Sequence, residues 1–265
     1  MATFFEVRIA DEERTYAAQA AQAAFDLLDQ LESHLSRFRS NSDIARIAQL
    51  APREKMRLCE PAFACLEIAK KMELATRGAF SVTASALQFQ TSLPQWELLP
   101  EEYSIRCESG RLQFDLGAIG KGFALDRIAE LLRGWDCPSF LLVAGGSSIL
   151  AGDPPKGTSG WSCGLGNDLA PNRFFLAGTS LSGSGLAVKG NHILDPRTGR
   201  PAMRQNRAWT LADTAAESDA LSTACMVLSE SELDHLLAQD HSWLIFLETD
   251  NAVRPMGNRA LPPQG

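Results

Sequence analysis

The chain has 265 residues, a formal net charge of −7, 45% hydrophobic residues and 22% charged residues. This composition is typical of a globular protein with a sizeable core, and its acidic balance argues against a nucleic-acid-binding surface or adhesion to an anionic membrane. No apolar run approaches the roughly 18 residues that span a bilayer, so no membrane segment is expected.

The chain opens with MATFFEVRIA, which predicts a first strand rather than a secretory signal, because it has neither a basic region nor a long apolar stretch. Six cysteines are scattered without paired spacing, as expected of reduced thiols. We therefore expect a cytoplasmic protein. One interleaved α+β domain over residues 1–256 is predicted, with mixed or antiparallel sheets, flanking helices and a frayed tail at 257–265.

Three helices are predicted in the first third of the chain. A long helix places Phe25, Leu28, Leu31, Leu35 and Phe38 on one face. A short helix follows, capped by Ser42 or Asn41, and an amphipathic helix then runs from Glu60 to Arg77 and ends at Gly78. Residues 91–102 are predicted to be a loop or an insertion.

The stretch DLGAIGKGFALD, from Asp115 to Asp126, carries the first functional pattern. It follows an alternating run at 111–114 that predicts a strand, and it leads into residues with helical spacing. Glycines let the backbone approach a ligand, and a helix start with Lys121 favours an anion such as phosphate. The alternative is an ordinary strand-to-helix turn with a solvated lysine.

Further strands are predicted for SFLLVAGGSSI, which ends in the tight turn Gly145-Gly146, and for GWSCGLG and RFFLAG. The stretch HILDPRTGRP predicts a rigid polar turn carrying His192 and Asp195, which could polarise or protonate a phosphate. A loop-stabilising histidine is the alternative. A last helix over about 213–228 and the strand SWLIFLET complete the pattern.

The last helix suggests a site for a hard cation. Asp219 and Thr223 lie four residues apart and share one face, whereas Leu221, Cys225 and Leu228 form an apolar stripe on the other side. Two oxygen ligands over a polar cleft suit Mg²⁺. A solvated helix face is the alternative. The four histidines form no zinc-type pair, so a transition-metal site is not expected.

Taken together, these segments resemble the ApbE family of Mg²⁺-dependent FAD:protein FMN transferases along nearly the whole chain. HILDPRTGRP and AAESDALSTACMVL are the closest and most specific matches. DLGAIGKGFALD, VAGGSS, RGAFSVTASAL, HLSRFRSNSDIARI and MATFFEV are similar to the family's other blocks, in the right order.

The resemblance implies that FAD is the substrate and that its pyrophosphate lies near Lys121. It implies Mg²⁺ ligands at Asp219, Thr223 and a backbone oxygen near Gly120, and catalytic roles for His192, Asp219 and Lys121. The implied reaction transfers FMN from FAD to a Thr or Ser hydroxyl of an acceptor flavoprotein, with AMP leaving. The flavin-binding positions that it implies are Met1, Phe38, Thr83, Asp115, Gly117, Lys121, Asp126, Gly145, Gly146, Ser182 and His192.

The chain departs from the family pattern at positions that touch the implied flavin pocket, namely Ser81, Ala118 and Ser147. Two alternatives to FMN transfer follow. The same site could use water and act as a Mg²⁺-dependent FAD pyrophosphatase, or the protein could bind flavin without catalysis.

Overall fold

The computed structural model describes residues 3–165, 173–185, 193–202, 205–249 and 252–263. The α-helices of this part are α1 (Arg14–Leu35), α2 (Asp43–Ile47), α3 (Glu60–Ala75), α4 (Gly120–Gly134), α5 (Ala215–Cys225) and α6 (Glu230–Gln239). Its strands are β1 (Phe5–Ile9), β2 (Lys55–Arg57), β3 (Gln95–Leu99), β4 (Ser104–Ser109), β5 (Phe140–Ala144), β6 (Ser148–Ala151), β7 (Trp161–Gly164), β8 (Arg173–Leu176), β9 (Thr179–Gly185), β10 (Arg207–Ala212), β11 (Leu244–Thr249) and β12 (Ala252–Met256).

A seven-stranded sheet with the order β1-β5-β6-β9-β10-β11-β12 forms the centre of the fold, and neighbouring strands in it are antiparallel. Smaller sheets have the order β2-β4-β3 and β7-β8. Helices and antiparallel sheets thus interleave along the chain, which confirms the predicted α+β class.

The central sheet is buried on both faces because its strands alternate between two apolar clusters. In β5, Phe140 and Leu142 join the large cluster that contains the helices, whereas Leu141 joins a second cluster with the β7-β8 hairpin. This alternation is the period of two that a strand imposes on its side chains. The helices therefore lie on one face of the sheet and the hairpin on the other.

Helix α5 packs on the central sheet through small polar side chains, which we call the serine seam. Ser182 and Ser218 hydroxyls lie 2.8 Å apart, and the Thr210 hydroxyl donates to the Ser218 carbonyl at 2.6 Å. Small side chains let the helix approach the strands closely, and the hydrogen bonds satisfy their buried hydroxyls. The seam comprises Ser148, Ser180, Ser182, Ser184, Thr210, Ser218 and Ser222.

Several predicted elements are confirmed. Strand β1, helix α3, the β5 strand with its glycine turn, and strands β7, β8 and β11 lie where the sequence predicts them. Ser42 caps α2 by accepting a hydrogen bond from the Ala45 amide at 3.0 Å. All six cysteines are free thiols. Within the described residues, no helix is both long and apolar enough to cross a membrane.

Other predictions are wrong. Helix α1 ends at Leu35, and Phe25 and Phe38 do not share its buried face, since they are 40% and 78% exposed. Residues 111–114 alternate between buried and more exposed positions as predicted, but they pair with no strand in the part of the chain that the structure describes, and β4 instead precedes them. The expected loop at 91–102 contains β3, which pairs with β4.

The C-terminal part also differs from the prediction. The helix ending near 228 is followed by another, α6, and β12 pairs with β11 after it. The tail expected to be frayed makes specific contacts in its described part: Arg259 donates to the Asp213 carboxylate at 2.9 Å, and the Phe175 amide donates to the Pro263 carbonyl at 2.8 Å.

Helices α4 and α5 touch at Gly122. A Cβ atom at this position would lie 2.0 Å from the carbonyl oxygen of Ala215 and 2.7 Å from the amide nitrogen of Ala216. Real Cβ atoms do not come that close to backbone atoms, so only glycine allows this approach. The contact fixes the start of α4 against the start of α5.

We therefore expect Gly122→Ala to destabilise the protein by about 2 kcal/mol or more, because the two helices must separate. Gly134→Ala, at the other end of α4, is the matched control, since its Cβ would meet nothing within 4 Å. Removing glycine from a helix there should be neutral or stabilise by up to ~1 kcal/mol. Urea unfolding of both variants measures the difference, and equal stability would contradict the close approach.

Candidate active site

Asp219, in the middle of α5, is only 2% exposed. Its Oδ1 accepts from the Ser148 hydroxyl at 3.1 Å, and its Oδ2 accepts from the amide of Gly122 at 3.2 Å. Lys121 donates to both oxygens, at 2.9 and 3.1 Å. A buried carboxylate needs such partners, because an unpaired charge in the interior is very unfavourable.

The position of Asp219 corrects the sequence analysis, which placed it on an open polar face away from an apolar stripe. Residues on every side of α5 are buried, so the helix has no solvated polar face over an open cleft. The reason is the serine seam. Its hydroxyl groups cover the side of α5 that the sequence pattern predicts to be exposed to solvent. A solvated helix face is excluded for Asp219.

Lys121 lies in the first turn of α4, with 20% of its side chain exposed. Its ammonium is held by three oxygens, namely both carboxylate oxygens of Asp219 and the carbonyl oxygen of Gly117 at 3.2 Å. The alternative of a solvated lysine is therefore excluded. Lys121 and Asp219 are far apart in the sequence, but in the structure the lysine ammonium lies directly against the buried carboxylate.

The glycine amides of the DLGAIGKG stretch do not point at an open anion site, as the sequence analysis expected. The Gly117 amide donates to Asp115 at 2.9 Å, the Gly120 amide to the Leu116 carbonyl at 2.6 Å, and the Gly122 amide to Asp219. Backbone amides in a packed turn are paired within the protein wherever possible. The positive charge at this turn comes from the side chain of Lys121.

Two further residues were predicted as metal ligands. Thr223 lies one turn after Asp219, and its hydroxyl contacts the Asp219 carbonyl at 3.4 Å and the Ser184 hydroxyl at 3.3 Å. Gly120 is the first residue of α4 and is buried next to Lys121. Carboxylate, carbonyl and hydroxyl oxygens are the ligand types that Mg²⁺ prefers, so the residues near Asp219 fit a hard cation.

The double-glycine turn lies beside Lys121. Gly145 and Gly146 both have positive φ, 60° and 67°, in the tight turn that joins β5 to β6, and glycine adopts this backbone conformation readily. A Cβ on Gly145 would lie 2.6 Å from the hydroxyl of Thr3 and 3.6 Å from Cδ of Lys121. The turn thus packs its backbone closely against Thr3 and the side chain of Lys121.

An ion pair connects the glycine stretch to an exposed aromatic ring. Arg37 lies 3.2 Å from the Asp115 carboxylate, and its guanidinium also lies 4.8 Å from the centre of the Phe38 ring. Phe38 itself is 78% exposed. An exposed ring on a segment held by an ion pair is available to stack on a planar ligand.

Other predicted residues are placed away from open surface. Thr83 is 1% exposed and Ser182 is fully buried in the serine seam. The Asp126 carboxylate accepts from the amides of Ala215 and Ala216 at 2.7 and 2.8 Å, which joins α4 to α5. Burial raises the pKa of Asp126 to about 7, although those two amides act in the opposite direction.

Met1 and His192 lie outside the described residues. Sequence reasoning missed the role of Ser148, since it noted Ser147 after the double glycine but not its neighbour. The signal was present in the strand period: Ser148 opposes Ala144 and Ser182 in the sheet and faces α5.

The turn that follows His192 is anchored by charges. Asp195 and Arg197 are joined by contacts of 2.9 and 3.0 Å, and Arg197 reaches Glu232 on α6 at 2.5 Å. Glu232 also forms a capping box with Ser229. The amide of Ser229, followed by its hydroxyl and Arg197, lowers the pKa of Glu232 to about 2 against the cost of burial.

This depressed pKa predicts an acid-sensitive contribution to stability. Because the folded pKa lies below the ordinary value of 4.5, the contribution is complete above pH 4.5 and is lost as the pH falls toward 2. Glu232→Gln should therefore be less stable than wild type at neutral pH, and the gap should shrink as the pH falls below 4.5. Glu230, on the same helix as Glu232, forms an exposed pair with Arg254 of β12, so Glu230→Gln is the control. Urea unfolding at several pH values tests this, and a gap independent of pH would contradict it.

Comparison with known proteins gives a consistent result. The ApbE family model matches residues 1–246. A FAD:protein FMN transferase of Klebsiella pneumoniae (strain 342) is 23% identical over 229 aligned positions, in an alignment that covers 73% of this chain and 70% of the relative. One of Treponema pallidum (strain Nichols) is 26% identical over 276 aligned positions, gaps included, in an alignment that covers 83% of this chain and 74% of the relative.

The solved structures agree on the fold. The flavin transferase ApbE from Vibrio cholerae superposes with a TM-score of 0.79 at 19% identity, covering 97% of this chain and 94% of that one. At this identity the likeness concerns the fold alone. The family model, however, spans most of the sequence, and the chain therefore belongs to the ApbE family.

Proposed function

We propose that this protein transfers FMN from FAD to a Thr or Ser hydroxyl of an acceptor flavoprotein, with Mg²⁺ as cofactor and AMP as leaving group. The observation that carries the proposal is the buried Asp219–Lys121 pair beside the Gly145-Gly146 turn, in a chain of the ApbE family. The Klebsiella and Treponema relatives are both named FAD:protein FMN transferases, which supports the same activity here.

The charges near Asp219 suit phosphoryl transfer. The acceptor oxygen forms a bond to the FMN phosphorus while the bond from that phosphorus to the AMP oxygen breaks. Lys121 supplies a positive charge for the phosphoryl oxygens, and Asp219 is the acceptor proposed for the hydroxyl proton. Mg²⁺, when bound, would add further charge compensation at the phosphates.

Lys121 and Mg²⁺ would compete for the same oxygens. The ammonium is within hydrogen-bond distance of the Asp219 carboxylate and the Gly117 carbonyl, and both are oxygen types that Mg²⁺ binds. Two cations in one oxygen cluster repel each other. We therefore infer that Lys121 moves off Asp219 when the ion binds, which frees its ammonium for the phosphate oxygens of FAD.

The direct test is incubation of the protein with FAD, Mg²⁺ and an apo-flavoprotein whose FMN attachment residue is threonine. Mass analysis should show a covalent FMN adduct and release of AMP. An acceptor with that threonine changed to alanine is the control. AMP release without any adduct would favour the FAD pyrophosphatase, and binding of FAD with neither product would favour flavin binding without catalysis.

Asp219→Ala should abolish release of AMP from FAD, because it removes the charged ligand and the proton acceptor together. It should also destabilise the protein, because Lys121 and Ser148 lose a buried partner. Losses of about 3 kcal/mol are typical when one member of a buried pair is removed. Asp219→Asn keeps the shape and should be nearly as inactive.

Thr223→Ala should be milder than either Asp219 variant, because a neutral hydroxyl is a weaker ligand. AMP release as a function of Mg²⁺ concentration, with thermal melts alongside, measures all three. Wild-type turnover in Asp219→Ala would show that the metal site is misplaced.

Lys121→Met tests the competition. In the absence of FAD it should be less stable than wild type, and added Mg²⁺ should raise its melting temperature more than it raises that of wild type, because the ion replaces the lost positive charge. Lys71→Met is the matched control. Lys71 pairs with Glu217, which lies on α5 as Asp219 does, but the Lys71 side chain is 69% exposed. If Mg²⁺ raises the melting temperatures of wild type and Lys121→Met equally, Lys121 and Mg²⁺ do not compete for Asp219.

A further inference from the structure

A nitrogen, an oxygen and a sulfur ligand meet at the corner where three helices come together. His34 lies in the last turn of α1, Asp43 is the first residue of α2, and Cys59 directly precedes α3. One ligand atom from each lies within 4.8 Å of the others. These residues are far apart in the sequence, so the group does not form a metal-binding motif that could be recognised from residue spacing.

The ligand types indicate which ion the group suits. Imidazole nitrogen, thiolate sulfur and carboxylate oxygen are the donors that Zn²⁺ takes in proteins, at roughly 2.0–2.3 Å. In a tetrahedral site such donors lie roughly 3.3–3.8 Å apart. Atoms already within 4.8 Å of one another therefore need only small side-chain adjustments to bind an ion.

The surroundings hold the ligands in place. Asp43 is 7% exposed, and its Oδ2 accepts from the backbone amide of Cys59 at 2.7 Å, which orients the carboxylate toward the cysteine. Such outer hydrogen bonds position metal ligands. Arg46 lies 3.6 Å from Asp43 Oδ1, but it is 51% exposed, so solvent screens its repulsion of a cation.

The thiol of Cys59 carries a proton in the metal-free protein. Burial, followed by the neighbouring Asp43, raises its pKa to about 12. An ion that binds must therefore break the S–H bond, form a bond to sulfur and release the proton to solvent.

We infer that His34, Asp43 and Cys59 form a binding site for a zinc-like transition-metal ion, with the fourth position open to water. This site is separate from Asp219, where all donors are oxygen and a hard cation is favoured. It lies at the two ends of the 36–42 segment that carries Arg37 and Phe38, since His34 precedes that segment and Asp43 follows it. A bound ion would fix both ends of the segment to α3.

The experiment is calorimetric titration of the full chain with Zn²⁺ in the presence of saturating Mg²⁺, so that the oxygen-only site is already filled. One equivalent of Zn²⁺ should bind to wild type. Because loss of an outer hydrogen bond alone typically weakens metal affinity by about 10–100-fold, loss of a direct ligand in Cys59→Ala or His34→Gln should weaken it by more than about 100-fold. Cys137→Ala and His241→Gln should bind as wild type does.

Substitution with Co²⁺ gives a second measurement, because a cobalt–thiolate bond produces a charge-transfer absorption that requires the cysteine. That absorption should appear in wild type and in Cys137→Ala, and should be absent from Cys59→Ala and from the conservative Cys59→Ser. Thermal melts without metal confirm that the variants are folded. Absence of saturable Zn²⁺ binding to wild type, or unchanged binding by folded Cys59→Ala, would overturn the inference. Neither result bears on FMN transfer, which is tested separately.

Discussion

The burial of one carboxylate constrains much of this structure. Asp219 is removed from water, and its charge is compatible with folding only because Lys121, Gly122 and Ser148 surround it. These partners come from α4 and β6, so both elements must be docked before the carboxylate is satisfied. Gly122 contributes twice, through its amide and through the missing side chain that lets α4 approach α5.

The serine seam contributes to the same constraint by fixing where α5 lies. Its hydroxyl pairs join the helix to β9 and β10 through directional hydrogen bonds, which specify a position more sharply than apolar contacts do. A helix held in this way presents Asp219 and Thr223 at defined positions. The seam therefore ties the position of the site to the central sheet beneath it.

Among the described elements, sequence reasoning found five of the six α-helices and five of the twelve strands, because those depend on local periodicity. It failed where distant segments decide the outcome. The run at 111–114 has the burial alternation of a strand, but whether it joins a ladder depends on which segments lie beside it. Likewise, the burial of Asp219 follows from partners far along the chain, and no spacing within α5 reveals it.

The pairing of β1 has a consequence for how the chain folds. Phe5 lies opposite Ala144, so β1 cannot pair with β5 until roughly 130 further residues have been synthesised. At typical rates of synthesis this delay is on the order of ten seconds, far longer than a strand needs to pair. During that time β1 is an unpaired edge open to other chains. Glu6 and Arg8 alternate with the apolar residues of β1. Charged side chains on an unpaired strand oppose its aggregation with other chains.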